Sequence, residues 1–340
     1  MRIGTRWLSY DIHGKLRIKS NVVVVNQYFL SSEAREVPDL VIYVGDFDHD
    51  RIQELFDEKL SVVYRRGGVL RSKVLLAGLT GRTILLASTP SYRLLRKPGK
   101  RLRALIKAVI QIKLIQRGLT YVHSACVCRD SSAAMIVAPP ETGKTLTALM
   151  LTRSGYKFLS DDMSLVGLGR VVYSNPSPLT IHPIHVETCG LKLGLAKRVE
   201  MSLRHKLRSI PYVLLTVDEF RMSAFEVVGE RDIAERARVD AIFFLEEGKE
   251  YVGELDPEEA LKRLKAVGKM HRYLFENEFL QTYAYYNPAL DIDSLAAREG
   301  KIYEELVEGT RLFVVRSEKR KFWRLVDSVF RTVSYTHLRA

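Results

Sequence analysis

The sequence predicts an α/β protein in which helices flank a mixed β-sheet core, and two observations carry that prediction. Short apolar runs of strand length alternate along the chain with segments whose apolar residues recur at helical spacing. The second observation is one junction, where the apolar run 133–137 (AAMIV) enters the loop 138–145 (APPETGKT) and an apolar helical stretch, 146–151, follows. A strand, a loop ending in Gly-Lys-Thr and a helix, in that order, are the elements of a phosphate-binding loop, or P-loop.

The chain is long enough for more than one domain. Its 340 residues are 46% hydrophobic, which allows a large buried core. We predict an N-terminal α+β accessory domain at residues 1–100, a P-loop core at 101–255 and a C-terminal helical region at 256–333. Residues 334–340 lack periodicity and resemble a translated adapter sequence, so we treat them as an artefactual tail and assign no function to His337.

The predicted accessory domain alternates short β-rich runs with turns. Its candidate strands are 22–25, 40–44, 62–64, 74–76 and 83–87, and one helix is predicted at 50–58. After the Pro98-Gly99 break, apolar residues recur at helical spacing from 101 to 117 and stop at Gly118. We interpret this helix as the join between the accessory domain and the core.

The predicted core begins with a strand at 120–128, a tight turn at 129–132 and the strand that enters the loop. This hairpin would bring His123 beside the loop, because antiparallel pairing carries the start of one strand to the end of its partner. The remaining candidate strands are 156–160, 164–166, 171–173 and 240–245, and the candidate helices are 258–267, 270–279 and 322–330.

The loop supplies the residue types that hold a nucleotide triphosphate. Backbone N–H groups of such a loop converge on phosphate oxygens, and the following helix adds its positive N-terminal end. Lys144 would reach the β- and γ-phosphates, and the Thr145 hydroxyl would ligate Mg²⁺. Ala138 replaces the first glycine of the usual pattern, which is tolerable if its φ is negative. The predicted cofactor-binding residues are Pro140, Glu141, Thr142, Gly143, Lys144, Thr145 and Leu146.

Two carboxylates follow the next predicted strand. Asp161 and Asp162 come directly after the run 156–160. A phosphate-bound Mg²⁺ needs acidic residues at that place, because hard cations take oxygen ligands. The alternative, that the pair only caps the next turn, stays open at this point.

Four short segments, spaced at matching intervals, resemble the catalytic domain of HPr kinase/phosphorylase and its kinase-like relatives. They are H-S-A at 123–125, G-K-T at 143–145, G-Y-K-F-L-S-D-D at 155–162 and E-T-C-G-L at 187–191. The resemblance covers roughly residues 118–250. It implies the fold that this family shares with ATP-dependent phosphoenolpyruvate carboxykinase, a mixed β-sheet flanked by helices.

The resemblance also implies an activity and a set of roles. The activity is Mg²⁺- and ATP-dependent transfer of the γ-phosphoryl group to a serine-type hydroxyl in a protein, peptide or small molecule. Asp161 would be the catalytic base, with His123 beside it to tune it and Lys144 as the third catalytic residue. Asp162 and Glu187 would supply oxygens for Mg²⁺ together with Thr145. Phosphoryl transfer depends mainly on positioning and charge neutralisation, which these residue types provide.

The sequence departs from the family pattern at two further places. Cys189 stands where the family has an arginine, and the later basic, glycine-containing motif has no counterpart. Arg231, Arg236 and Arg238 lie where a substitute for that motif could be found. These departures favour a kinase acting on a serine other than that of HPr and leave open whether the chain has phosphorylase activity.

Charge and composition limit the kinds of partner that the protein is expected to have. The net charge is +13, and basic residues concentrate at 93–107 and 316–324. Such clusters attract nucleic acid or anionic lipid, but we favour solvated helix faces, because charge alone rarely identifies a partner. Three cysteines make no disulfide framework, and no apolar run has the length of a membrane span. We therefore expect a cytoplasmic protein, and the resemblance implies a homo-oligomer.

Two alternative functions remain open. One is a nucleotide-binding regulatory protein that has lost catalysis. The other is a nucleic-acid-associated NTPase, which the net charge suggests. The second is weakened because the sequence shows neither a further helicase-like motif nor a basic groove interleaved with aromatic residues.

Overall fold

The structure of this chain, a computed structural model, describes residues 3–32, 37–45, 47, 61–62, 74–87, 96–208, 210, 217–269, 277–318 and 320–337. The chain divides into two compact units: unit 1 comprises Met1–Thr120 and His271–Lys301, and unit 2 comprises Tyr121–Met270 and Ile302–Ala340. These limits differ from the expected boundaries after residues 100 and 255. Among the described helices, none is both long and apolar enough to cross a lipid bilayer.

Unit 1 contains a mixed sheet. Its strands are β1 (Ile3–Ile12), β2 (Leu16–Val22), β3 (Leu40–Val44), β4 (Ser61–Val62), β5 (Val74–Ala77) and β6 (Thr83–Ala87). In space they follow the order β1-β2-β3-β6-β5-β4. The pairs β2–β3 and β3–β6 are parallel, and the other neighbours are antiparallel.

The first hairpin of unit 1 was not predicted, although its sequence carries the signal. His13 and Gly14 both have positive φ, 51° and 67°, within the three-residue connection 13–15 between β1 and β2, where the Lys15 N–H donates to the Ile12 carbonyl at 2.9 Å. Such a turn matches the twist of the flanking strands. The expected strand 22–25 is wrong beyond Val22, where the regular strand ends. The expected helix 50–58 and residues 63–64 lie outside the described residues.

The helices are numbered here along the chain, over the described residues. They are α1 (Arg96–Gln116), α2 (Lys144–Arg153), α3 (Pro183–Cys189), α4 (Leu195–Arg208), α5 (Ala224–Val228), α6 (Pro257–Lys269), α7 (Glu278–Tyr286), α8 (Ile292–Val307) and α9 (Phe322–His337). Short 3₁₀ turns occur at Gln27–Phe29, Leu168–Arg170 and Glu230–Asp232.

Helix α1 confirms the predicted helix at 101–117 and begins five residues earlier than predicted. It ends where the sequence indicates, because Gly118 has a left-handed φ of 74° and its N–H donates to the Ile115 carbonyl at 3.0 Å. Within unit 1, Lys113 of this helix is buried, and its Nζ donates to the carbonyls of Leu79 and Gly81. A buried ammonium needs such acceptors.

Unit 2 contains a larger mixed sheet. Its strands are β7 (Leu119–Val122), β8 (Ser124–Arg129), β9 (Ser132–Val137), β10 (Lys157–Ser160), β11 (Ser164–Gly167), β12 (Val171–Tyr173), β15 (Arg236–Glu246), β16 (Tyr251–Glu254) and β17 (Arg311–Arg316). The order is β10-β8-β9-β15-β12-β11-β7, and β17 pairs with both β15 and β16. A separate two-stranded sheet joins β13 (Leu179–Thr180) to β14 (Arg221–Met222).

Strand β15 is the centre of this sheet, as its apolar run predicts. It pairs in parallel with β9 on one side and with β17 on the other, and its residues are buried on both faces. Phe243 packs in the core on the face of α2 and α9, whereas Phe244 packs on the face of α6 and the end of α8. Strands covered on both faces read as continuous apolar runs, which explains why this one was recognised.

Several core predictions hold and two are wrong. The turn 129–132 and the strand entering the loop are confirmed by the antiparallel pairing of β8 with β9. The expected single strand 120–128 is broken at His123 into β7 and β8. The region 256–333 is not only helical, since β17 lies there and pairs along β15. Helix α9 also continues through 334–337, within the segment that we interpret as an artefactual tail.

Candidate active site

The carboxyl ends of four strands meet at one edge of the unit 2 sheet. Strands β9, β15 and β17 are parallel, with Val137 opposite Phe244 and Arg316 opposite Glu246. Strand β10 points the same way, because it is antiparallel to β8, which is antiparallel to β9. The segments that leave these four ends therefore converge. In α/β sheets this edge is where ligands bind.

The loop between β9 and α2 has an unusual backbone. Glu141 and Gly143 have positive φ, 64° and 118°, separated by one residue that does not. Alternating handedness of this kind turns successive N–H groups toward one point, which makes a concavity for an anion. Ala138 does not have a positive φ, so the missing first glycine is tolerated as expected. Pro139 and Pro140 have no N–H to donate, so the donors begin at residue 141.

Leu146 stands apart from the other predicted cofactor-binding residues. Its side chain is buried in the hydrophobic core of unit 2, with Leu149 and Leu151 of the same helix. Only its backbone N–H, one of the four that an α-helix leaves unbonded at its start, remains as a possible ligand.

Lys144 is buried at the first position of α2. Its Nζ donates to the carbonyl oxygens of Ala138 at 2.7 Å and Pro139 at 3.0 Å. Burial lowers the pKa of this ammonium, while the negative charges of Asp161 and Asp162 act to raise it. The lysine thus lies across the loop and near both carboxylates that the sequence singled out.

Asp161 and Thr145 join the end of β10 to the start of α2. The Thr145 hydroxyl donates to Asp161 Oδ2 at 2.7 Å. Asp161 is 5% exposed, and burial raises its pKa to about 6 against the opposing hydrogen bond from Thr145. Its other oxygen, Oδ1, is buried and accepts no hydrogen bond of normal geometry within the described parts of the chain. A buried carboxylate oxygen without a donor is uncommon and points to a functional role.

His123 contacts Asp162 rather than Asp161. The distance from its Nδ1 to Asp162 Oδ1 is 3.3 Å, and the imidazole is 3% exposed whereas the Asp162 side chain is 65% exposed. Asp162 has a left-handed φ of 68°, which aspartate tolerates better than most residues. The break between β7 and β8 falls at His123 itself. Residue 123 therefore lies at the site edge, as the hairpin predicts, but beside the neighbouring carboxylate.

A buried hydroxyl cluster, which the sequence did not predict, includes the residue before Asp161. Ser164 Oγ lies 2.7 Å from Ser124 Oγ and 2.7 Å from Ser160 Oγ, and 3.2 Å from the Cys126 sulfur. The cluster links the start of β8, the end of β10 and the start of β11. Serines give no spacing signal for such a network, because the two contacts of Ser164 with β8 join residues that are 38 and 40 positions apart in the chain.

The predicted metal ligands are only partly brought together. Thr145 lies beside Asp161, and Asp162 follows in the chain, but Glu187 is exposed on α3 and makes no hydrogen bond or ion pair with either Thr145 or Asp162. Within the described residues, no group of three or more His, Cys, Asp or Glu side chains is arranged to hold a metal ion. Any cation here would need ligand oxygens from a bound phosphate as well, which is usual for Mg²⁺.

Three arginines suggested as substitutes for the missing basic motif lie at the wrong edge. Arg236 and Arg238 begin β15, where Arg238 is opposite Ser132 at the start of β9, and Arg231 precedes them. They are a strand's length from the loop, so they cannot reach it. Basic residues that do lie at the loop edge include Arg316, which ends β17, and Arg320, which follows it.

Comparisons with known proteins add little to this geometry. No protein-family model matches the chain, and no curated protein sequence matches it. Among solved structures, the chain is similar to the Hpr(Ser) kinase/phosphatase from Coxiella burnetii, with 8% sequence identity and a TM-score of 0.33, over 64% of this chain and 92% of that one. A likeness at this TM-score carries no argument, so the site must be judged by its own residues.

Proposed function

We propose that the chain is a Mg²⁺- and ATP-dependent phosphotransferase that acts on an alcohol group, of the HPr kinase-like kind. The observation that carries the proposal is the hydrogen bond between Thr145 and Asp161. It ties a Gly-Lys-Thr loop with alternating backbone handedness to a buried carboxylate beside the loop lysine. These are the parts that phosphoryl transfer requires, namely a phosphate cradle, a cation and one well-placed carboxylate.

The residues present fit a nucleotide and its cation. The N–H groups of residues 141–145 and the Lys144 ammonium suit the phosphate chain, and the oxygens of Thr145 and Asp162 suit Mg²⁺. Bound Mg-ATP would supply the transferable phosphoryl group and a cation that neutralises the charge on it. Lys144 would exchange its carbonyl acceptors at Ala138 and Pro139 for phosphate oxygens.

We assign Asp161 as the general base that takes the proton of the acceptor hydroxyl. Oδ2 is held by Thr145, so the unpartnered Oδ1 is the oxygen available to accept a hydrogen bond from the acceptor. As the acceptor oxygen bonds to phosphorus and ADP leaves, its proton would pass to this carboxylate. Burial excludes water that would otherwise compete as an acceptor. His123 holds Asp162 at the rim of the site, through the contact of its Nδ1.

For the phosphoryl acceptor, only the chemical class is assigned. The sequence resemblance to HPr kinase implies a serine-type hydroxyl, carried by a protein, a peptide or a metabolite. The alternative of a nucleic-acid-associated NTPase has less support, because Arg316 and Arg320 of the second basic cluster each pair with a glutamate. Such pairing reduces the positive field that would attract a phosphate backbone.

The test is Asp161→Asn, measured for both nucleotide binding and transfer of labelled phosphate to a panel of serine, other hydroxylated metabolites and peptides. Asparagine preserves the shape and can still accept from Thr145, but it cannot take a proton. We expect Mg-ATP affinity within about threefold of the unaltered protein and turnover reduced by a factor of about 10³, within the range for loss of a general base.

The matched control is Asp130→Asn. Asp130 occupies the tight turn between β8 and β9 at the opposite edge of the sheet, and its left-handed φ of 55° suits asparagine equally well. Its transfer activity should equal that of the unaltered protein. Full activity in Asp161→Asn would remove the assigned base, and nucleotide binding without transfer to any acceptor would favour the regulatory alternative.

A further inference from the structure

The segment after β17 packs on the last residue of the loop. A Cβ atom added to Gly143 would lie 3.6 Å from the Phe322 ring and 3.7 Å from the Cβ of Arg320. Phe322 begins α9 and is fully buried, so it anchors this segment against the loop. The Cβ of Arg320 therefore borders the space that a side chain at position 143 would occupy, next to the start of α2 at Lys144.

The guanidinium of Arg320 is held weakly in this state. Its Nε and Nη2 lie 3.1 and 2.9 Å from a single oxygen of Glu247, and the two side chains are 48% and 59% exposed. Exposed ion pairs of this kind contribute little net stability, because water solvates both partners well when they separate. A phosphate chain carries more charge than one carboxylate and can compete for the same donors.

Its neighbour Arg316 is held differently. Arg316 Nε donates to Glu246 at 2.7 Å, and its guanidinium lies 5.4 Å from the centre of the Tyr251 ring. Glu246 is also bonded to Arg263 and is 28% exposed, so this part of the edge is a network of several partners. Of the two arginines, Arg320 is the one whose single exposed contact leaves it able to change partner.

We propose that Arg320 binds the phosphate chain of the nucleotide, and that its ion pair with Glu247 breaks when it does so. The inference rests on the proposed function, since it names a further ligand for the same nucleotide. Gly143 lies beside Arg320, and its neighbours in the loop are those expected to hold the inner phosphates. Arg320 should therefore contact both ATP and ADP but not adenosine, which has no phosphate. Glu247 acts as a competitor that weakens nucleotide binding.

The experiment measures dissociation constants of Mg-ATP, Mg-ADP and adenosine by calorimetry for Arg320→Gln, Glu247→Gln and the double variant. Arg320→Gln should weaken ATP and ADP binding about tenfold, as loss of a charge-assisted hydrogen bond does, without changing adenosine binding. Glu247→Gln should tighten ATP binding about two- to threefold, since it removes a competitor worth a typical exposed ion pair. The double variant should behave like Arg320→Gln.

The control is Arg311→Gln, alone and with Glu254→Gln. Arg311 Nη2 lies 3.3 Å from Glu254, the pair is exposed at 43% and 78%, and it sits at the start of β17, away from the loop. Its nucleotide affinities should not change. The inference is overturned if Arg320→Gln matches Arg311→Gln, or if Glu247→Gln weakens ATP binding as Arg320→Gln does. Absence of nucleotide binding by the unaltered protein would instead overturn the proposed function, and the inference with it.

Discussion

The two edges of the unit 2 sheet are built from the same strands but carry different chemistry. At the amino edge of β9, a two-residue turn closes the hairpin, and Arg238 pairs with Asp240 at 3.7 Å. At the carboxyl edge, left-handed residues follow three strand ends, at Glu141, Asp162 and Arg320. The amino edge has Asp130 in its hairpin turn, where a tight turn accounts for the left-handed φ, whereas the clustering of three such residues around one loop is typical of functional sites.

Burial of charge distinguishes the edges in the same way. Lys144 and Asp161 are both nearly inaccessible at the carboxyl edge, whereas in the ion pair at the other edge Asp240 is buried but the side chain of its partner Arg238 is 57% exposed. Burying ionisable groups destabilises a fold unless partners offset it. The carboxyl edge thus buries an ammonium and a carboxylate together, and variants that change one edge at a time test this comparison.

The largest expected effect on stability comes from removing the buried acid. Burial raises the pKa of Asp161 from 3.8 to about 6, so the folded state favours the protonated form. The stability this gives is fully present below about pH 3.8 and is lost as the pH rises through 6. In metal-free buffer, Asp161→Asn should therefore be more stable than the unaltered protein at pH 8, by up to ~3 kcal/mol, and should lose that advantage near pH 4.

Urea unfolding at pH 4, 5, 6 and 8 with a chelator present measures this difference. The advantage of the variant should grow as the pH rises through 6. A stability difference that does not change with pH would show that the Asp161 carboxyl is not destabilised by its burial, and would remove one of the two contrasts between the edges.

A smaller effect compares two left-handed glycines. Gly143 ends the loop with φ 118°, and Gly155 lies before β10 at the opposite edge with φ 94°. Alanine at either site has room for its methyl group but must adopt a conformation that disfavours side chains. Both Gly143→Ala and Gly155→Ala should lose about 1–2 kcal/mol of stability.

Only Gly143→Ala should weaken Mg-ATP binding, by about tenfold or more, because the loop must shift its N–H groups to relieve the strain. Thermal melting and nucleotide titration of both variants separate the two effects. Equal losses of affinity in the two variants would mean that the loop backbone has no special role, and the contrast between the edges would lose its functional meaning.

Sequence patterns predicted those parts of the site that local spacing encodes. The Gly-Lys-Thr loop, the hairpin that carries His123 and the acidic pair after β10 each lie in a continuous stretch of chain, so short-range rules reach them. The central strand β15 was recognised because burial on both faces leaves an unbroken apolar run.

The parts that were missed depend on contacts between distant segments. Strand β17 has a clear apolar run, Leu312 to Val315, but it lies among helices, and nothing local indicates that it pairs with β15. The serine cluster and the approach of Arg320 to Gly143 are likewise tertiary contacts between segments far apart in sequence. The position of Arg231, Arg236 and Arg238 was misjudged for the same reason, since sequence order does not give the edge of a sheet.

The central claim is that the carboxyl edge of this sheet binds the phosphates of a nucleotide through the loop and Lys144. The most direct measurement is a calorimetric titration of ATP, with and without Mg²⁺, into the unaltered protein, Lys144→Met and the control Lys157→Met. Lys157 is exposed at the start of β10, at the opposite edge. We predict saturable, Mg²⁺-dependent binding to the unaltered protein and to Lys157→Met, and a loss of at least a hundredfold in Lys144→Met. No binding to the unaltered protein, or equal binding to all three, would contradict the claim.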